Sequence, residues 1–308
     1  MKHSLHITFI ILGIFLLAQF IGLGVLYNYI DPAKSQETGE TEFKDLPIGE
    51  RPPVDENTSF IPVIIAVIIG TVILLLLVKY KLSLVWKLWF LIAVTITLST
   101  AWAAFVPIIV AFIAAIIFAL WKIFKPNVWV HNFTELFIYG GLAAIFAPLF
   151  NLWSISILLI LISIYDAYAV WKSKHMITLA KSQTDSKVFA GLLIPYSLPG
   201  FMKKKIKESK AVKIVAKASK TSGATLPKVE VRTAILGGGD IGFPLIFAGV
   251  VLKELGLWQS LVIPFFALAG LAILLYYAEE KKFYPAMPFI SAGCFVGLTV
   301  VWVIGLIV

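Results

Sequence analysis

The sequence predicts an all-α, polytopic membrane protein with nine transmembrane helices, and its composition carries this prediction. Apolar residues occupy 60% of the 308 positions and charged residues only 14%. A soluble domain has about 45–50% apolar and about 25% charged residues, so the composition excludes a soluble protein. A helix that crosses a bilayer needs about 20 apolar residues, and charged breaks divide the chain into runs of that kind. The predicted spans are 5–28, 59–78, 84–101, 104–122, 133–150, 152–171, 232–252, 257–278 and 285–307.

The order of these spans sets the domain organisation. The first span lacks a small-residue cleavage site, so it is predicted to be a retained helix rather than a signal peptide. Spans three and four share one long apolar stretch, as do spans five and six, and each stretch is too long for a single crossing. We therefore expect a six-span bundle at 1–171, a basic loop at 172–231 and a three-span bundle at 232–308.

The distribution of lysine and arginine predicts the orientation. A cytoplasmic N-terminus places 22 of the 26 basic residues on the cytoplasmic side, fourteen of them in 172–232. The first loop, 29–58, holds eight of the seventeen acidic residues. We therefore expect a cell-membrane protein whose N-terminus and 172–231 loop are cytoplasmic and whose C-terminus is extracytoplasmic. The basic loop is predicted to contact anionic lipid, and it matches no module that binds nucleic acid.

Two acidic residues fall inside the predicted spans, Asp166 in the sixth and Asp240 in the seventh. Glu135 stands at the start of the fifth span, where we expect the interface to hydrate it. Asp166 precedes Lys172 by about 9 Å of helix, and Asp240 follows Arg232 by about 12 Å. Both helices end at the same loop, so the two carboxyls are predicted to lie at nearly the same depth. If the two helices are neighbours, the carboxyls can face each other.

Three roles are open for a carboxyl pair at this depth. Close carboxyls at low dielectric hold one proton between them, as in aspartic proteolysis, where one activates water and the other polarises the scissile carbonyl. Paired acids also serve a proton- or cation-coupled transporter or an ion-leak channel, which is the alternative function. The pair could also simply hold helices together. No cofactor or metal is expected, because the chain has a single cysteine and lacks His-Glu-x-x-His.

The residues around the acids and at the start of span nine form three short motifs. These are Tyr165-Asp166, Gly237-Gly238-Gly239-Asp240 and Pro285-Ala286-Met287. Glycines leave the backbone bare, so that another chain can approach it closely. Prolines near a helix start leave backbone groups free, here at a depth similar to that of the acids.

In this order the motifs resemble the presenilin and signal-peptide-peptidase family of intramembrane aspartyl proteases. The nine spans and the long hydrophilic loop match its single-chain, archaeal-type presenilin homologues. Prepilin peptidases share Gly-x-Gly-Asp but lack the Pro-Ala pair. The resemblance implies a presenilin-like fold and an aspartic endopeptidase that cleaves the transmembrane helices of its substrates, with no obligatory partner subunit evident.

The resemblance also implies roles for individual residues. Asp166 and Asp240 would be the catalytic pair. The border of the active site would comprise Tyr165, Gly237, Gly238, Gly239, Pro285, Ala286 and Met287. Met287 departs from the leucine of the family motif but is similar in volume. A substrate helix must unwind before hydrolysis, and the alternating segment Leu226 to Thr233 is predicted to pair with it as a strand.

Overall fold

The computed structural model describes residues 5–172, 189–195, 233–279 and 284–307, and this part of the chain is a bundle of helices. Most of the 172–231 basic loop lies outside the described residues. The same holds for the predicted substrate-pairing strand Leu226 to Thr233, apart from Thr233 itself.

The first part of the bundle contains seven helices. They are α1 (Leu5–Asn28), α2 (Pro32–Thr38), α3 (Phe60–Lys79), α4 (Ser83–Ala103), α5 (Ile108–Phe124), α6 (Val128–Phe146) and α7 (Leu152–Trp171). A 3₁₀ turn, Ala147–Leu149, extends α6. The second part contains β1 (Gly191–Pro195), β2 (Thr233–Gly237), α8 (Gly238–Leu255), α9 (Leu257–Tyr277) and α10 (Met287–Ile307).

Seven helices of the described chain are long and apolar enough to cross a membrane: α1, α3, α4, α6 with its 3₁₀ turn, α7, α9 and α10. They correspond to predicted spans one, two, three, five, six, eight and nine. Of the other two predicted spans, α5 is apolar but has 17 residues. Helix α8 has 18 residues and contains Asp240, Lys253 and Glu254.

The described residues are mostly helical, as predicted, but β1 and β2 add an antiparallel hairpin that the sequence analysis did not predict. Gly191 lies opposite Gly237, and Pro195 lies opposite Thr233. The seventh span was predicted from residue 232, but its helix begins only at Gly238. Short apolar runs of this length are compatible with a strand as well as with a helix, and the glycines that follow β2 are poor helix formers.

Helix α8 lies at the centre of the bundle, where it packs against α1, α6, α7, α9 and α10. Most of its residues from 241 to 252 are buried. Helix α1 approaches it so closely that a Cβ added to Gly22 would lie 2.2 Å from the Leu245 side chain. The buried Gln19 side chain donates a hydrogen bond of 2.9 Å to the Ile241 carbonyl. Asp240 therefore stands at one end of the most enclosed helix.

The first loop, 29–58, covers the opposite end of α8. The Tyr29 hydroxyl donates to the Thr100 carbonyl at 2.8 Å, and the Arg51 guanidinium donates to the Ala144 carbonyl at 3.1 Å. Burial raises the pKa of Tyr29 to about 12, against the opposing influence of Arg51. Lys253, in the last turn of α8, forms an ion pair with Glu56 of this loop. The loop thus ties the helix ends together on the side away from Asp240.

Candidate active site

Asp166 projects from α7 towards the start of α10. Its side chain is buried, and its Oδ2 accepts a hydrogen bond of 3.1 Å from the backbone N–H of Met287. The backbone N–H of Ala286 also donates to this carboxyl. The first N–H groups of a helix have no partner within it, so Asp166 satisfies groups that α10 leaves free. The structure therefore brings the Pro285-Ala286-Met287 segment directly to Asp166.

Asp240 lies in the first turn of α8 and accepts a hydrogen bond from the backbone N–H of Gly237. It is half-buried, whereas Asp166 is buried. The two carboxyls interact electrostatically, and their helices pack against each other. The structure thus places the two acids on neighbouring helices, within range of each other's charge.

Two of the three motif glycines lie in tight surroundings, where an added Cβ would require a neighbour to shift slightly. A Cβ on Gly237 would lie 3.1 Å from Asp240 Oδ2, and one on Gly238 would lie 3.1 Å from the Tyr139 hydroxyl. The Gly238 N–H donates to the Ala190 carbonyl at 3.1 Å. Gly239 is exposed, and a Cβ there would only make an ordinary contact with the Phe243 ring. The glycine run therefore lets α6 and the hairpin approach the start of α8.

The hairpin presents one free edge beside Asp240. Asn132 on α6 holds both backbone groups of Leu193: it donates to the carbonyl at 2.7 Å and accepts from the N–H at 3.0 Å. These groups of β1 consequently point away from β2. Leu193 and Ile235 are opposite each other in an antiparallel pair, so the N–H and carbonyl of Ile235 point away from β1. Among the described residues the sheet has only these two strands, which leaves that edge of β2 without a strand partner.

Tyr165 connects the site to a peripheral helix. Its hydroxyl forms a hydrogen bond of 3.1 Å with the Thr71 hydroxyl of α3. Helix α3 has no fully buried residue, so it is only lightly packed on the bundle.

A second polar cluster adjoins the site, and the sequence reasoning missed it. Glu135 was expected to be hydrated, but it is almost fully buried and forms an ion pair with Lys122 of α5. Tyr139 donates its hydroxyl to the other carboxylate oxygen of Glu135. His131, one turn before Glu135, donates its Nε2–H to the Gly191 carbonyl at 2.7 Å, because a carbonyl can only accept. The available signal was a lysine and a glutamate in consecutive apolar spans.

The arrangement supplies acid and base groups rather than ligands for a metal ion. Among the described residues, no group of three or more His, Cys, Asp or Glu side chains is placed to hold a metal. A carboxyl pair with one shared proton can both accept a proton and donate one.

Comparison with known proteins gives a family and a fold. A sequence model of the family described as "Signal-peptide peptidase, presenilin aspartyl protease" matches residues 42–307. The structure is similar to a presenilin family intramembrane aspartate protease solved in the C222 space group, with 18% identity, a TM-score of 0.59 and coverage of 96% of this chain and 99% of that one. For a presenilin family protease solved in the P2 space group, the identity is 18%, the TM-score 0.57 and the coverage 95% and 96%. The search of curated proteins found no match.

Proposed function

Because the chain belongs to the signal-peptide peptidase and presenilin aspartyl protease family, we propose that Asp166 and Asp240 are the catalytic pair with which it cleaves transmembrane helices. Family membership confirms the prediction from the motifs and makes the protein a multi-pass membrane aspartic endopeptidase. The transporter or ion-leak alternative has no support from the family or from the fold. The observation that carries the proposal is that Asp166 and Asp240 lie on helices that pack against each other, and that Asp166 accepts a hydrogen bond from the Met287 N–H of the third motif.

The proposed reaction uses one proton shared by the pair. The ionised carboxylate accepts a proton from water while the protonated carboxyl donates a hydrogen bond to the scissile carbonyl. The water oxygen bonds to the carbonyl carbon and gives a tetrahedral intermediate. A proton then passes to the amide nitrogen, the C–N bond breaks, and a new carboxyl and a new amine leave. One proton remains on the pair, so the cycle can repeat.

The free edge of β2 supports a mode of substrate binding. A peptide bond within a helix is enclosed by the hydrogen bonds of that helix, so the substrate must unwind before water reaches it. An unwound segment can pair with the exposed backbone groups of Ile235 as an added strand. This position lies five residues before Asp240 and two residues beyond the predicted pairing segment Leu226 to Thr233, which lies outside the described residues apart from Thr233.

Several broader features belong to the same proposal. We propose that the chain crosses the membrane nine times, with α5 and α8 as the short crossings, and that the 172–231 loop is cytoplasmic and contacts anionic lipid. We also propose that the chain is divided into 1–171, 172–231 and 232–308, and that it acts without an obligatory partner subunit. By analogy with presenilin, this orientation favours single-span substrates with an extracytoplasmic N-terminus.

The test is cleavage of a single-span reporter by the purified protein in detergent. We expect wild type to cleave, and Asp166→Asn and Asp240→Asn each to abolish cleavage. Asp55→Asn, in the first loop and away from the site, makes the same chemical change and should cleave like wild type. Cleavage that survives in both catalytic variants would contradict the proposal. If wild type cleaves no reporter at any pH, ion flux through proteoliposomes becomes the next measurement.

A further inference from the structure

The cluster centred on Glu135 joins two helices of the first part of the chain to the glycines before Asp240. Lys122, Thr134, Glu135 and Tyr139 are each less than 5% exposed. Burying a lysine and a glutamate is costly, and a buried ion pair is often no more stabilising than apolar residues of the same volume. Stability alone therefore does not account for this pair.

The polar contacts of Glu135 connect Lys122 of α5 to the start of α8. One carboxylate oxygen accepts from Lys122, whose ammonium also donates to the Thr134 hydroxyl at 3.1 Å. The other oxygen accepts from the Tyr139 hydroxyl. That hydroxyl lies against Gly238, where an added Cβ would be 3.1 Å away, and it interacts electrostatically with Asp240. A continuous set of polar contacts thus runs from α5 through α6 to the start of α8.

The same face of α6 holds the hairpin. His131, Glu135 and Tyr139 are spaced four residues apart, which places them along one side of the helix. His131 bonds the carbonyl of Gly191, and Gly191 is paired with Gly237. The N–H of Gly237 in turn donates to Asp240. This face therefore supports the segment before Asp240 at two places, directly at Gly238 and through Gly191 at the end of β2.

The segment before Asp240 requires such support. Three successive glycines have no side chains to restrict their conformation, so contacts from outside must select one. A half-open pocket of about 260 Å³ lies on this side, lined by Glu135, Tyr139, Gly238 and Gly239 among others. The polar contacts of Tyr139 and His131 therefore supply support on a side of α8 that other helices do not fully enclose.

We propose that Tyr139, oriented by the acceptor oxygen of Glu135, is a positioning residue that holds the glycine turn so that the Asp240 carboxyl faces Asp166. The inference rests on the proposed function, because it assigns Tyr139 a role in the reaction of that pair. Tyr139 acts through Gly238 and not on the substrate. Its loss should slow the chemical step and leave substrate binding unchanged.

The first experiment compares two tyrosines that are matched in burial. Tyr139 and Tyr29 are each 4% exposed and each donates one hydroxyl hydrogen bond, but Tyr29 lies at the end of the bundle away from Asp240. We expect Tyr139→Phe to lower kcat about tenfold, the effect of one lost hydrogen bond, with KM within about twofold of wild type. Tyr29→Phe should leave both constants unchanged. Equal kcat in the two variants, or a fall in Tyr139→Phe that only follows its folded fraction, would overturn the proposal.

A second pair of variants separates the acceptor at residue 135 from the ion pair. Lys122→Met with Glu135→Gln removes both charges but keeps an oxygen for Tyr139, so kcat should stay within about threefold of wild type. Lys122→Met with Glu135→Leu removes that oxygen and should reproduce the Tyr139→Phe loss, with no further loss when Tyr139→Phe is added. Equal rates in the Gln and Leu versions would refute the role of residue 135.

The same assay distinguishes this inference from the proposed function. If wild type fails to cleave, or Asp240→Asn cleaves, the proposed function fails and the inference falls with it. If wild type cleaves, Asp240→Asn does not, and Tyr139→Phe behaves like Tyr29→Phe, the catalytic pair stands and only the inference is refuted.

Discussion

The hairpin that precedes Asp240 depends on one glycine, and Gly191→Ala tests whether its geometry controls cleavage. Gly191 has φ of +148°, a conformation that costs an L side chain about 1–3 kcal/mol. A Cβ there would lie 2.3 Å from the Leu236 carbonyl oxygen, about 1 Å short of ordinary van der Waals contact. That oxygen belongs to the paired strand, so the two strands must separate to admit the methyl group.

The size of this displacement sets the expected effect. A catalytic group misplaced by 1 Å costs on the order of 10²-fold in rate, and Gly237, which donates to Asp240, is the residue paired with Gly191. We therefore expect Gly191→Ala to reduce reporter cleavage by about 10²-fold. The strain should also lower the midpoint of thermal unfolding by roughly a few degrees, so cleavage is measured at a temperature at which wild type and variant are both folded.

The assay measures initial cleavage rates and thermal unfolding of the same detergent preparations. Gly13→Ala is the matched control, because Gly13 lies on exposed α1 surface and an added Cβ would meet no atom within 4 Å. This control should match wild type in both measurements. Wild-type cleavage by Gly191→Ala would refute the reasoning, since the hairpin would then tolerate a separation of its strands without effect on Asp240.

Two other backbone contacts of the site give predictions of the same kind. Ile235→Pro removes the N–H at the free edge of β2, where proline is compatible with the fold. We expect this variant to cleave about tenfold more slowly than wild type, whereas Ile235→Val should cleave normally. Equal cleavage rates for the two variants would exclude strand pairing at this residue. Met287→Pro removes the N–H that donates to Asp166 at a first helical position that proline favours. Compared with Met287→Ala, which loses similar packing but keeps the N–H, it should cleave about tenfold more slowly, and indistinguishable rates would mean that this hydrogen bond is dispensable.

The carboxyl pair was accessible from the sequence because acidic residues are rare within apolar spans and both of these lie close to the same loop. The constant rise of a helix applies to the stretch after Asp166. It does not apply before Asp240, where residues 233–237 form β2 instead of the predicted helix. The hydropathy that locates spans is likewise a local property of the chain. Seven of the nine predicted spans correspond to helices that meet the length and composition of a membrane crossing.

The hairpin and the Glu135 cluster could not be predicted because both depend on partners distant in the chain. β1 becomes a strand by pairing with residues about 40 positions later and by bonding to Asn132 of α6. The environment of Glu135 is set by Lys122 on another helix, and only packing decides whether that glutamate meets water or an ammonium group. Apolar runs of five residues and single charges near a span end have no local feature that distinguishes these outcomes.

The location of the site at helix beginnings follows from the chemistry of a membrane interior. Backbone groups in lipid must be satisfied within the protein, and helices leave their first N–H groups free. Asp166 accepts from the N–H groups at the start of α10, and Asp240 accepts from the residue before α8. Each acid thus receives the polar partners that its burial requires, and each helix start receives an acceptor. The backbone N–H groups inside a helix are already bonded, so they cannot donate to a carboxyl. If either aspartate were shifted by one turn, its carboxyl would lose its N–H donors and those donors would lose their acceptor. The reaction must therefore take place at the depth of the first turns of α8 and α10.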